Sequence, residues 1–225
     1  MPAAWAVWAK TVVACRRCPR LWAWREAHRG QPGTAVWGRP VVGEGDFEAE
    51  LVVLGLAPGL RGAHRTGRPF WGDASGRWVR EALAAHGWVD PVRGVLVGAF
   101  VTNVVRCAPP QNRPWAKEVA ACRAHLAAEL ALLPKAQVVV ALGREAFFAY
   151  WALRRPGTAP PPFRHGAAVR FPDPPHWLLA SYHPSPLNRA TGRLDAAAWA
   201  GVFARAQALL TGGDYGPQST PLSGN

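Results

Sequence analysis

Four cysteines are the first residues whose types and spacing could do chemistry. Cys15 and Cys18 form a Cys-x2-Cys step within Cys15-Arg16-Arg17-Cys18-Pro19, whereas Cys107 and Cys122 are separated by residues 108–121. Such a step lets two thiolates converge on one metal or cluster, so all four can be assigned to a single tetrathiolate site. The second pair lacks the close spacing of a zinc ribbon, and the cysteines alone leave zinc, an iron–sulfur cluster and unrelated buried thiols open. Arg16, Arg17, Arg20, Arg106 and Arg123 neighbour them in sequence. These cations can offset thiolate charge or face phosphates.

The second group lies in loops. Asp73, in Gly72-Asp73-Ala74-Ser75-Gly76, suits the N-cap of a helix beginning near Ser75 and equally a carboxylate that positions water. His183 follows an apolar run and precedes Pro184, where a neutral imidazole can donate to an oxygen that becomes anionic as a bond breaks. Phe70 sits among Gly and Pro, which allow a flat ligand to approach the backbone. Asn112, in Pro109-Pro110-Gln111-Asn112, is a turn residue whose amide can orient water. Among these loops the nearest lysine is Lys117, beyond Pro114, so a Schiff-base mechanism lacks an obvious amine.

The elements that must hold these loops alternate. Apolar runs at residues 50–56, 94–105, 137–142 and 177–181 read as buried strands, and helical stretches fall at 76–86, 115–133, 144–153 and 195–210. This order predicts an α/β fold: a three-layer α/β/α sandwich around a central, mainly parallel four-stranded sheet, with functional loops at the carboxyl ends of the strands. Residues 1–210 are expected to form a single domain. An N-terminal arm, 1–45, carries helix-forming sequence around the first cysteine pair and a turn-rich connector, and residues 211–225, rich in Gly, Ser and Pro, are expected to be a disordered tail.

Composition narrows the partner. A formal charge of +12, carried mainly by Arg, makes the chain a polycation that favours a polyanion through counterion release. Nucleic acid is the natural candidate, and an Arg-rich genome-wide composition is the bland alternative. Arg pairs with phosphate and stacks on bases, and the 12 Trp suit the same surface. No apolar run reaches the roughly 20 residues that span a bilayer, and the N-terminal segment lacks secretory-signal features. A cytoplasmic protein with no membrane partner is the expectation.

Taken together, Gly55-Leu56-Ala57-Pro58-Gly59, Arg65-Thr66-Gly67-Arg68-Pro69-Phe70-Trp71-Gly72-Asp73-Ala74-Ser75-Gly76, Arg106-Cys107-Ala108-Pro109-Pro110-Gln111-Asn112-Arg113-Pro114 and Ser181-Tyr182-His183-Pro184-Ser185-Pro186-Leu187-Asn188 resemble the motifs of the iron–sulfur uracil-DNA glycosylases, in that family's order. Ala57 in place of an acidic residue, Phe163-Arg164-His165-Gly166 and Thr191-Gly192-Arg193-Leu194 resemble its type-5 branch. The resemblance runs from about residue 12 to about residue 210. It implies a monofunctional DNA glycosylase of base excision repair that flips uracil from double- or single-stranded DNA and leaves an abasic site.

The resemblance also assigns roles. It implies that Cys15, Cys18, Cys107 and Cys122 hold a [4Fe-4S] cluster, with zinc the less favoured alternative, and that Asp73, Asn112 and His183 are catalytic. Gly55, Leu56, Ala57, Gly59, Phe70, Asn103, Ser185 and Asn188 would form the substrate site, and Arg65, Arg68, Arg113 and Arg189 would contact DNA. The branch also accepts hypoxanthine, ethenocytosine and hydroxymethyluracil. Two positions depart from its pattern: Asn103 resembles the type-4 arrangement, which reads the uracil edge strictly, and Trp71 replaces a small residue, either narrowing the pocket or packing outside it. A monomer is expected. A noncatalytic metal-stabilised DNA-binding module would share the charge and cysteines but leaves the loops without a purpose.

Overall fold

A computed structural model describes residues 3–30 and 36–212. The expected tail therefore lies, apart from residues 211 and 212, outside the described residues. The N-terminal helices are α1 (Ala3–Val13) and α2 (Pro19–Ala27), with Cys18 at the N-cap of α2 and Pro19 in its first turn, where a missing N–H costs nothing. The sheet comprises β1 (Glu44–Gly45), β2 (Leu51–Gly55), β3 (Ala99–Asn103), β4 (Val138–Leu142), β5 (Ala168–Arg170) and β6 (Trp177–Ser181). Helices α3 (Ala63–Thr66) and α4 (Ala74–Ala85) join β2 to β3, and α5 (Ala116–Leu130) joins β3 to β4. Helix α6 (Arg144–Arg154) follows β4, and α7 (Pro186–Ala190) and α8 (Ala196–Leu210) follow β6.

The strand order is β1-β3-β2-β4-β6-β5, in which β3, β2, β4 and β6 run parallel and the outer β1 and β5 pair antiparallel. The parallel four-stranded centre is thus as read from the apolar runs, and the sheet is wider by two short edge strands. Those edges, of two and three residues, carry no apolar run and owe their pairing to tertiary placement. All five residues of β2, β3 and β4 are buried, the signature of strands covered on both faces.

Alternation along the strands sorts their side chains into two cores. Val52, Leu54, Phe100 and Val139 join Trp5, Leu21, Leu126, Phe147 and Tyr150 from α1, α2, α5 and α6. Leu51, Val53, Val101 and Val140 join Val79, Leu83, Trp199 and Phe203 from α4 and α8 on the other face. A one-residue slip in any strand would exchange the two sets, so this pattern fixes register. The N-terminal arm docks by burying Trp5 against Phe47 and Phe100, with ring centroids 4.9 and 5.7 Å away. Among the described residues no helix is long and apolar enough to cross a membrane.

Chain direction across the sheet places the site. From β2 the chain moves to β3 on one side, and from β4 it moves to β6 on the other, so the loops after β2 and β4 diverge. The crevice beyond their carboxyl ends is the topological switch point of an open parallel sheet.

Candidate active site and cysteine cluster

Gly55 ends β2 directly opposite Asn103 at the end of β3. A methyl group at Gly55 would lie 2.5 Å from Asn103 Oδ1 and 2.8 Å from Phe70 Cζ, so only glycine lets these two side chains meet over the strand end. Asn103 is buried at 4% exposure, and Phe70 is half-buried with its backbone in the left-handed region at φ 55°. That conformation costs a residue with a Cβ about 1–2 kcal/mol. The tip of the Phe70 ring comes over the strand end. Val104 and Val105 donate to the carbonyls of Gly55 and Leu56 at 2.9 and 2.8 Å, joining the two loops by their main chains.

Asp73 is the helix N-cap that its surroundings predict. Its Oδ1 accepts the Gly76 N–H at 2.7 Å as the N-cap of α4. Its Oδ2 accepts no hydrogen bond among the described residues and faces Gly59 and Gly62, where a side chain at Gly62 would overlap it. One oxygen is therefore structural and the other available.

His183 is half-buried, and Asn188 Nδ2 and Ser185 N both donate to its carbonyl at 2.8 Å. Ser185 Oγ in turn caps α7 by accepting from Asn188 N. Burial lowers the imidazole pKa, while the carboxylates of Asp73 and Glu145 act in the opposite direction. The neutral ring follows, able to donate but uncharged. Glu145 went unremarked in the sequence because an acidic residue at a helix start reads as a cap.

Other expected residues are dispersed. Asn112 has φ 56°, lies exposed in a short 3-10 turn (Pro110–Asn112), and has no hydrogen bond to Asp73 among the described residues. Ala57, Leu56 and Gly59 lie half-buried in the loop after β2. Arg65, Arg113 and Arg189 are exposed; Arg189 lies over the Trp78 ring, 3.7 Å from its centroid. Arg68 is committed differently, to a two-point ion pair with Glu44 at 2.6 and 2.9 Å. Trp71 is exposed, with the Arg68 and Arg80 guanidinium groups 4.2 and 3.8 Å from its ring centroid.

One residue beside His183 was missed altogether. Leu187 is 70% exposed on α7. Its apolar character in a Pro-rich loop gave no periodic signal, and only the fold leaves it projecting next to the site.

The four cysteines are all free thiols. Cys15 acts electrostatically on each of the other three, which places them around one region. Arg25 Nη1 donates to Cys107 Sγ at 3.5 Å, Arg106 N donates to Cys122 Sγ at 3.4 Å, and a His125 ring nitrogen lies 3.4 Å from Cys15 Sγ. Such donors suit thiolates. Burial pushes the Cys107 thiol up to about 12, so the ionised form needs a cation beside it. Among the described residues no group of three or more His, Cys, Asp or Glu side chains is gathered closely enough to hold one metal ion.

Of the arginines that neighbour the cysteines in sequence, Arg16 and Arg17 are exposed, Arg20 and Arg123 half-buried, and Arg106 alone is enclosed. Arg106 is fully buried, donating to Glu129 Oε2 at 2.6 Å and to the Thr102 hydroxyl, while Glu129 Oε1 accepts Gly43 N at 2.8 Å. Arg20 forms a two-point pair with Glu118 at 2.8 and 2.6 Å and lies over the Trp115 ring. These pairs tie the arm, the turn after β3 and α5 together.

Comparison with known proteins adds an independent line. A family model described as the uracil DNA glycosylase superfamily matches residues 42–206. A type-5 uracil-DNA glycosylase of Thermus thermophilus is 45% identical over 216 residues, covering 89% of this chain and 95% of that protein. A type-5 uracil-DNA glycosylase of Pyrobaculum aerophilum is 43% identical over 208 residues, 88% of this chain and 89% of that protein. A type-4 uracil-DNA glycosylase of the same organism matches at 40% identity over only 104 residues, 46% of this chain and 48% of that protein.

Proposed function

This chain belongs to the uracil DNA glycosylase superfamily, in its type-5 branch, and from that premise we propose that it excises uracil from DNA in base excision repair as a monofunctional hydrolase of the N-glycosidic bond. The observation that carries the reading is the meeting of Phe70 and Asn103 over Gly55, at the switch point of the sheet. A flat base turned out of the duplex stacks on the Phe70 ring, and the Asn103 amide hydrogen-bonds its edge. Residues 1–210 act as one glycosylase-like domain, monomeric, cytoplasmic and without a membrane partner.

Bond cleavage separates charge. The electron pair of the breaking bond leaves with the base, and the neutral His183 ring donates to the base oxygen on which that charge collects. The free Oδ2 of Asp73 stabilises the cationic sugar and orients water, whose oxygen bonds to the sugar carbon as the base departs while the water's proton passes to the Asp73 carboxylate and on to solvent; Asn112 assists in holding that water. With no amine at the site, the product is an abasic sugar in an intact strand. Leu187 fills the space vacated in the stack, as apolar wedges do, while Arg65, Arg113 and Arg189 hold phosphates.

Cys15, Cys18, Cys107 and Cys122 would hold a [4Fe-4S] cluster. Shared surroundings and N–H donors aimed at sulfur support one common thiolate site, and the family resemblance of the neighbouring loops favours a cluster over zinc there. When bound, the cluster supplies a cross-link among the arm, the turn after β3 and α5, with no electron transfer required.

The test is release of free uracil from uracil-containing duplex and single strands by the metallated protein. Intact substrate would leave only a DNA-binding module. A broad absorption band near about 400 nm distinguishes an iron–sulfur cluster from zinc. The buried Asn103 also favours strict uracil reading over the wider type-5 range, because an amide buried against the base edge is left unmatched by other bases. Duplexes carrying hypoxanthine, ethenocytosine or hydroxymethyluracil decide between these two.

A further inference from the structure

The main chain around His183 is held by side chains and loop amides rather than by a sheet ladder. Pairing between β6 and the segment before β5 runs as far as Gly166 N to the Ala180 carbonyl at 2.7 Å. Beyond it, Ser181 O accepts from Gly143 N at 2.7 Å, and Ser181 Oγ donates to Tyr182 O at 2.9 Å. Among the described residues the Tyr182 N–H has no backbone acceptor. It donates instead to His165 Nδ1 at 3.0 Å.

His165 also stacks on the Tyr182 ring, with centroids 4.9 Å apart and planes 11° apart. Arg193 lies over the same ring at 4.5 Å, and Phe163 approaches it at 6.0 Å. A backbone amide is an obligatory donor, so Nδ1 must be the unprotonated nitrogen. Burial keeps the ring neutral, opposed by a backbone hydrogen bond at Ala198 and by Asp195 at the start of α8. The Nδ1 lone pair is therefore available.

We propose that His165 is a positioning residue for His183, its Nδ1 fixing the Tyr182 peptide and so the angle at which the next side chain enters the site. The proposal rests on the reading of His183 as the donor to the departing base. A displacement of about 1 Å at a reacting group costs on the order of a hundredfold in rate, which makes the anchoring of one peptide consequential.

The contrast between two amides tests it. In His165→Asn the side-chain oxygen stands where Nδ1 stood, whereas in His165→Gln the polar end imitates Nε2. Single-turnover uracil excision, affinity for abasic-site DNA and hydrogen exchange at the Tyr182 amide are measured for both. The Asn variant keeps amide protection and a near wild-type rate. The Gln variant loses protection at Tyr182 and slows on the order of tenfold to a hundredfold, with abasic-DNA affinity held within about twofold. Equal rates for the two variants, or a protected Tyr182 amide in the Gln variant, overturn the proposal. His183→Ala separates the two readings: if it leaves excision intact the functional assignment falls, whereas if it is slow while His165→Gln is fast, only the positioning role falls.

Discussion

The side chain of Asn188 donates to the main-chain oxygen of His183 at 2.8 Å, closing the loop 183–188, whose other bond to that oxygen comes from Ser185 N. Asn188 thus braces the main chain of His183, a contact additional to the substrate role expected of it. Asn188→Ala should slow excision on the order of tenfold or more, with affinity for abasic DNA largely kept. Loss of binding with an unchanged excision rate would instead assign Asn188 to DNA contact.

Asp73 divides its oxygens between a helix cap and the site, so two substitutions separate the functions. Asp73→Asn keeps a capping oxygen and should unfold within a few tenths of a kcal/mol of wild type, whereas Asp73→Ala loses about 1 kcal/mol. Both should lower excision by on the order of tenfold to a thousandfold. Urea unfolding combined with single-turnover rates checks the pair, and an active Asn variant would return Asp73 to capping alone.

Burial holds the His183 imidazole below its ordinary value of 6.5, with Asp73 and Glu145 pulling upward. The unfolded chain takes up this proton near 6.5 and the folded chain only at lower pH, so the residue's contribution to stability is full above 6.5 and is lost as pH falls through the folded value. Excision should stay level as the pH drops to 6.5 and decline below it. A pH–rate profile that already falls above 6.5 contradicts a depressed His183, and a His183→Asn variant should lose less thermal stability on acidification.

Leu187 is an apolar side chain left 70% exposed beside the site. If it fills the gap in the stack, Leu187→Ala slows excision from duplex on the order of tenfold but scarcely affects single strands, which have no stack to hold open. Equal effects on both substrates would remove the wedge role.

The Arg106–Glu129 pair is enclosed, with side-chain exposures of 1% and 0%. Glu129→Ala should cost about 3–5 kcal/mol, because it strands a buried cation. The double change Arg106→Met with Glu129→Leu should recover much of that, measured by urea unfolding. Since Arg106 N also meets Cys122 Sγ, the absorption near about 400 nm should fall more in the single variant than in the double.

The sequence by itself determined the sheet's parallel centre and the chain positions of its loops. Leu51–Gly55, Val138–Leu142 and Trp177–Ser181 are continuous apolar runs, and such runs bury the same way in almost any context. The loops that carry Phe70, Asp73, His183 and the cysteines were equally legible as positions, while the residue types alone left more than one chemistry open for the cysteines and for Asp73. Tertiary structure alone decided which charged groups face inward. Arg106 reads in sequence as a cation that offsets thiolate charge or faces phosphates, until Glu129 arrives from a distant segment to enclose it; Arg68, expected on DNA, stays 45% exposed and pairs with Glu44. It also decided the partners of His165 and Leu187, one turned into the fold and the other left outside. The physical reason is the same throughout: burying an apolar run is favourable whatever it meets, whereas a polar or charged side chain can be buried only where another segment supplies its partner.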